Sequence, residues 1–168
     1  HVLIGSLNED KRLLRELAAE LSFLRLHENV TDMAALMASC DLAISAAGTT
    51  LYELCAVGIP AVSYSFADNQ LPSSLAFANV GAVPYAGDLR VDTESCSIVP
   101  SPDSKDTGSA HGLPDVLSAV CHFVTDMSGN IAKRKSAQQS MHRLIDGKGS
   151  CRIARALEEC AFHNFRSP

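Results

Sequence analysis

The stretch DLAISAAGTTLYELCAVGIPAVSYSFADNQ, residues 41–70, decides the fold. Residues 41–46 form a short apolar run of the kind that makes a buried strand. Ala47-Gly48 makes a tight turn. Thr49 and Thr50 then stand where a helix begins, with Glu53 in its first turns. Gly58-Ile59-Pro60 stops that helix. Residues 61–65 are the next strand, and Asp68-Asn69-Gln70 is a polar loop behind it.

This unit points to an anion. The first backbone N–H groups of a helix have no partner inside it, and the macrodipole adds about half a positive charge there. Gly48 lets a phosphate approach the backbone closely, and two threonine hydroxyls add donors. Glu53 has the wrong sign for a phosphate ligand. It suits the hydroxyls of a ribose, as the acidic residue of dinucleotide folds does. The same residues also fit a plainer role, with Thr49 a helix cap and Glu53 a first-turn acid that favours the dipole.

The combination G-T-T-x-x-E, G-I-P and A-D-N-Q resembles the C-terminal domain of the nucleotide-sugar enzymes with the GT-B fold. The likeness is nearest to the UDP-sugar hydrolases of pseudaminic acid biosynthesis and related spore-coat polysaccharide proteins. The lipid-linked N-acetylglucosaminyltransferase of peptidoglycan synthesis shares the layout more distantly. The similarity is dense over residues 29–87 and recurs weakly over 146–153. It implies that Gly48, Thr49 and Thr50 bind the pyrophosphate and that Glu53 binds the ribose of UDP. Asp68, Asn69 and Gln70 supply the polar loop, the last two facing the sugar or the phosphates. The backbone of Val30 is implied to read the uracil ring.

The resembling enzymes have two domains, and the N-terminal one supplies the general base. Their C-terminal domain normally starts with one more strand and a glycine-rich loop. Neither element is present, so the chain reads as a single nucleotide-sugar-binding domain that is a fragment of a two-domain protein, inactive alone. The implied activity is UDP-sugar hydrolysis in surface-polysaccharide or nonulosonic acid biosynthesis. Sugar transfer by a GT-B glycosyltransferase is one alternative, and a non-catalytic nucleotide-sugar-binding module is another. No catalytic residue is assigned, and no cofactor or metal is expected, because the cluster lacks the paired carboxylates that usually hold magnesium at a diphosphate.

The rest of the chain fits one α/β domain. It has 168 residues, a hydrophobic content of 46% and a formal net charge of −5. That charge argues against nucleic acid or an anionic membrane surface as partner. No apolar run is long enough to span a membrane, and no signal peptide is visible. Six cysteines without Cys-x-x-Cys spacing argue against a zinc site, and with no disulfides expected they favour the cytoplasm.

Residues 1–5 are an apolar run ending in glycine, and Asn8 is placed to cap a helix over 9–21 with Leu13, Leu14, Leu17, Ala18 and Leu21 on one face. A strand over 23–26 and a helix over 31–39 follow. Beyond residue 70 come a helix over 72–79 and a strand over 82–85. Strands alternating with helices imply a Rossmann-like parallel sheet with helices on both faces, whose ligands bind beyond the carboxyl ends of the strands. Gly48 and Asp68-Asn69-Gln70 both follow strand ends, which puts them on one rim. Residues 90–113, rich in Ser, Pro, Asp and Gly, read as a flexible insertion. His111 lies within it and is not assigned a catalytic role. Helices over 114–126, 130–145 and 149–162 make a helical C-terminal segment, with Ser150 placed to cap the last.

Overall fold

The computed structural model describes residues 1–90 and 113–164. His111 and most of the expected insertion lie outside them. The chain divides into two compact units, His1–Cys40 and Asp41–Pro168.

The first unit pairs strand β1 (Val2–Ile4) in parallel with β2 (Leu26–Glu28), and the helices are α1 (Lys11–Glu20) and α2 (Met33–Ala38). The β2 pairing starts at Leu26, where residues 23–26 were expected as the strand. The chain from Leu21 to Leu24 is instead closed by a turn, the Leu24 N–H donating to the Leu21 carbonyl at 2.9 Å. Asn8 does not cap α1. Its carboxamide oxygen accepts from the Asp10 N–H at 2.8 Å, a local turn of the sort that competes with helix, and α1 begins two residues later than expected. Leu14 and Ala18 are half-buried, whereas Leu13, Leu17 and Leu21 of the expected apolar face are exposed. Two three-residue strands offer little surface for that face to cover. Asp32 caps α2 through the Ala35 N–H at 2.9 Å.

The second unit is a three-stranded parallel sheet in the order β3 (Ala43–Ala46), β4 (Ala61–Ser65), β5 (Tyr85–Asp88). Helix α3 (Thr50–Val57) connects β3 to β4, and α4 (Leu71–Asn79) connects β4 to β5. Helices α5 (Leu113–Ser128), α6 (Ile131–Leu144) and α7 (Gly149–Asn164) follow. The fold is α/β and Rossmann-like, with parallel strands flanked by helices and a helical C-terminal segment.

Burial explains the arrangement. Ala61, Val62, Ser63 and Ser65 of β4 are all buried, although successive side chains of a strand point to opposite faces, so β4 is covered on both. Val62 packs with Met127 of α5 and Ala137 of α6, joined by Leu42, Ala86, Val120, Phe123 and Val124. Leu51, Leu54 and Cys55 of α3 are buried, and Tyr52 of α3 meets Phe77 of α4 edge-on with ring centroids 5.3 Å apart. Burying a side chain such as Leu51 contributes about 1.5–3 kcal/mol.

Helix α3 ends as its sequence requires. Gly58 adopts φ +81, its N–H bonds to the Leu54 and Cys55 carbonyls, and the Ile59 N–H bonds back to Leu54 at 3.0 Å. Gln138 of α6 donates to the Gly58 carbonyl at 2.9 Å and ties this corner to the C-terminal helices. The basic side chains of α6 are partly engaged: Lys133 pairs with Asp126 at 2.7 Å, and Arg134 donates to the Met127 and Ser128 carbonyls at the end of α5. Helix α7 starts at Gly149, so Ser150 lies inside it and does not cap it.

The last strand differs most from expectation, lying at Tyr85–Asp88 and not at residues 82–85. Ala82 and Val83 are buried, but their N–H groups bond to the Phe77 carbonyl at 3.0 and 3.3 Å, completing the end of α4. Sheet pairing begins only where the Ser63 N–H reaches the Pro84 carbonyl at 2.8 Å.

Candidate functional site

The pairings of the second unit build a rim. Beyond β3, the Ala47 N–H donates to the Tyr64 carbonyl at 2.8 Å; beyond β5, the Leu89 N–H donates to the Ser65 carbonyl at 2.7 Å. Because all three strands are parallel, the segments that follow them leave from one edge of the sheet. Gly48, Thr49, Thr50 and Glu53 leave from β3, and Asp68, Asn69 and Gln70 from the adjacent β4. Sequence spacing placed both groups on this rim.

At the first segment the Gly48 N–H folds back onto the Ala46 carbonyl at 2.8 Å, turning the chain into α3. Thr49 has helical backbone angles (φ −59, ψ −26), and its side chain makes no capping bond, so the plain capping role is not the one it fills here. Among the described residues, the amides and hydroxyls of Thr49 and Thr50 have no hydrogen-bond partner. Thr49 and Glu53 are exposed and Thr50 is half-buried. A side chain added at Gly48 would meet nothing within 4 Å, and Gly48 is not among the residues of positive φ. Among the described residues, neither backbone conformation nor packing asks for glycine there.

The second segment is a 3-10 turn, Asp68–Gln70. The Gln70 side-chain oxygen accepts from the Phe66 N–H at 3.0 Å, and the Gln70 carbonyl accepts from the buried Ser74 hydroxyl at 2.9 Å. These bonds fix the turn against the start of α4. Asn69 is exposed.

Arg90 belongs to this rim, and sequence reading missed it by placing it in the insertion. Asp88, at the end of β5, is buried, and the Arg90 guanidinium clasps it: Nε lies 3.0 and 3.1 Å from the two carboxylate oxygens and Nη2 lies 2.5 Å from Oδ2. The other arm, Nη1, pairs with Asp68. The hydrogen bonds from Arg90 hold the Asp88 carboxyl below the usual carboxylate range, against burial, which raises it; the Ser65 hydroxyl helps. Ser65 is itself buried and 2.7 Å from the Tyr85 hydroxyl. The only available signal was the spacing Asp88-x-Arg90, which is too common to single out.

A pH dependence follows. A carboxyl whose pKa is lower folded than unfolded stabilises the fold fully above its unfolded value, near 3.9, and loses that contribution as pH falls through the folded value. Asp88→Asn is therefore expected to lower the urea midpoint at pH 7, with the gap to wild type closing progressively below about pH 4. A gap of constant size down to pH 2.5 contradicts the ionic role.

Val30 lies in the first unit, just after β2; it is half-buried and preceded by Asn29 in the left-handed conformation (φ 52). Among the described residues, no three His, Cys, Asp or Glu side chains stand close enough to hold a metal ion. Burial pushes the Cys55 thiol up to about 11, which makes it a poor nucleophile at neutral pH. Cys40, Cys121, Cys151 and Cys160 are also free thiols.

Fold and rim together define a Rossmann-like α/β unit with an unpartnered helix start at the carboxyl edge of its sheet. The chain is similar to the spore coat polysaccharide biosynthesis protein SpsG of Bacillus subtilis (strain 168), 24% identical over 157 residues, which are 94% of this chain and 40% of that protein. The chain thus spans about two fifths of the length of this relative. No protein-family profile matches it, and no solved structure matches at a significant level. Among the described residues, no helix is long and apolar enough to cross a membrane.

Proposed function

We propose that this chain is the nucleotide-holding part of a UDP-sugar hydrolase with the GT-B fold, acting in surface-polysaccharide or nonulosonic acid biosynthesis. One observation carries the reading: among the described residues, the amides and hydroxyls of Thr49 and Thr50 are open, beside a glycine that no neighbour requires. Similarity to a polysaccharide biosynthesis protein along nearly the whole chain supports it.

In this reading the diphosphate of the ligand sits at the start of α3, with Gly48 beneath it and the two threonines donating. Glu53, about one turn on, accepts from the ribose hydroxyls, and Asn69 and Gln70 face the sugar side. When water attacks the anomeric carbon, the bond from that carbon to the β-phosphate oxygen breaks and negative charge grows on the departing UDP. The amides and dipole at the start of α3 are fixed before that charge appears, so they stabilise the transition state without reorganising. The base that activates water comes from outside these residues, in a further domain of the whole protein.

Calorimetry with UDP tests the site, with weak millimolar binding expected; no heat at millimolar UDP sinks the reading. Glu53→Ala is expected to weaken UDP by about 1–3 kcal/mol, the range for losing a hydrogen-bonded charged group. The exposed position of Glu53 makes a folding defect in that variant small. An unchanged affinity rejects the ribose role.

A further inference from the structure

We propose that Arg90 is a third anion-binding element of the rim and that Asp68 holds its place until a ligand phosphoryl group displaces it. This rests on the reading of the rim as a diphosphate site.

The two arms of Arg90 have unlike partners. Asp88 is buried, is braced by Ser65 and takes three hydrogen bonds from one edge of the guanidinium. That edge is fixed, because releasing it would strand a buried carboxylate. Asp68 is the opposite case. Its side chain is 97% exposed, so its pairing with Nη1 gains little over water. The guanidinium is thus anchored on one side and closed on the other by a group that leaves at little cost. A fork of N–H donors of this kind matches a phosphoryl group in charge and shape.

Its position suits the ligand. Arg90 follows β5, but by pairing with Asp68 it leans back over the segment that follows β4, the middle strand. The start of α3 follows β3, which pairs with β4 on the side away from β5 at a strand spacing of about 5 Å. The proposed anion site lies above the end of β4, between the helix start and the guanidinium. Asp68 then acts as an occupant of the free site and not as a ligand group.

The test is calorimetric titration of inorganic pyrophosphate and of UDP into the wild type, Arg90→Ala, Arg90→Lys and Asp68→Asn, with circular dichroism as the folding control. Arg90→Ala is expected to weaken pyrophosphate by roughly 10- to 100-fold. Arg90→Lys, which keeps the charge but loses the fork, falls between. Asp68→Asn is expected to bind pyrophosphate several-fold tighter, a gain that a merely structural role for the pair does not produce. Asp68 is exposed, so this variant remains informative even if removing Arg90 unfolds the chain. Wild-type failure to bind pyrophosphate, equal affinity in both folded Arg90 variants, or weaker binding by Asp68→Asn overturns the proposal. Arg90-dependent binding of pyrophosphate with no gain from uridine sinks the nucleotide reading and leaves this one standing. Glu53-dependent UDP binding that ignores Arg90 does the reverse.

Discussion

Replacing Gly48 by valine is expected to abolish measurable UDP binding, a loss of at least about 100-fold, or near 2.7 kcal/mol, while leaving the fold intact. Usually a glycine substitution confounds the two effects, because the glycine is held at positive φ or packed against a neighbour. Gly48 is neither: among the described residues, a Cβ there meets nothing within 4 Å. Valine is β-branched and stiff, so its methyl groups occupy the space over the start of α3 that a phosphate needs. Calorimetry with UDP, set beside a urea midpoint, separates the outcomes. Full binding by a folded Gly48→Val protein shows that no ligand approaches this backbone.

The second large effect concerns stability and reaches the rim through β5. Ser63 pairs with Tyr85, but Ser65 pairs with Asp88, so β5 spends one extra residue over that span. This is a bulge, and Gly87 carries it at φ +127, a backbone conformation that L side chains rarely adopt. A Cβ on Gly87 would also lie 3.0 Å from Cγ2 of the buried Val116. Gly87→Ala is therefore expected to cost about 2–4 kcal/mol, the backbone strain alone being about 1–3. Urea denaturation measures it, and a double-mutant cycle with Val116→Ala isolates the steric part. A change below about 0.5 kcal/mol, within the ordinary range for a neutral surface site, refutes the argument. The bulge matters beyond stability because it brings Asp88 opposite Ser65, where Asp88 anchors Arg90. A variant that slips this register is expected to lose the Arg90 contact along with its stability.

Much of the second unit was legible from sequence because its signals are local. Gly58 before Ile59-Pro60 can end a helix in one way, and it does. The apolar runs flanking α3 leave little choice but a parallel pair, since a helix connects them. The same locality placed Gly48 and Asp68–Gln70 on one rim, because a strand end is read from composition and parallel strands share their carboxyl edge.

Where sequence reading went astray, distant partners decided. Ala82 and Val83 have the composition of a strand, yet their N–H groups are taken by Phe77 at the end of α4, which pushed β5 onward to a stretch containing Gly87 and Asp88, residues that local propensity disfavours in strands. Asn8 has the composition of a cap, but a turn to Asp10 claimed its side chain. Arg90 looked like the start of a polar insertion because neither Asp68, 22 residues earlier, nor the burial of Asp88 is visible in one dimension.

Sequence by itself determined the alternation of strands and helices, the start and end of α3, and the chemistry gathered behind β3 and β4. Only the tertiary structure decided which strand residues pair, which face of each helix is covered, and that a clamped guanidinium stands over the rim. The physical reason is that hydrogen-bonding capacity and hydrophobicity are properties of residues, whereas the partner that satisfies a buried N–H or charge is chosen by packing across the whole unit.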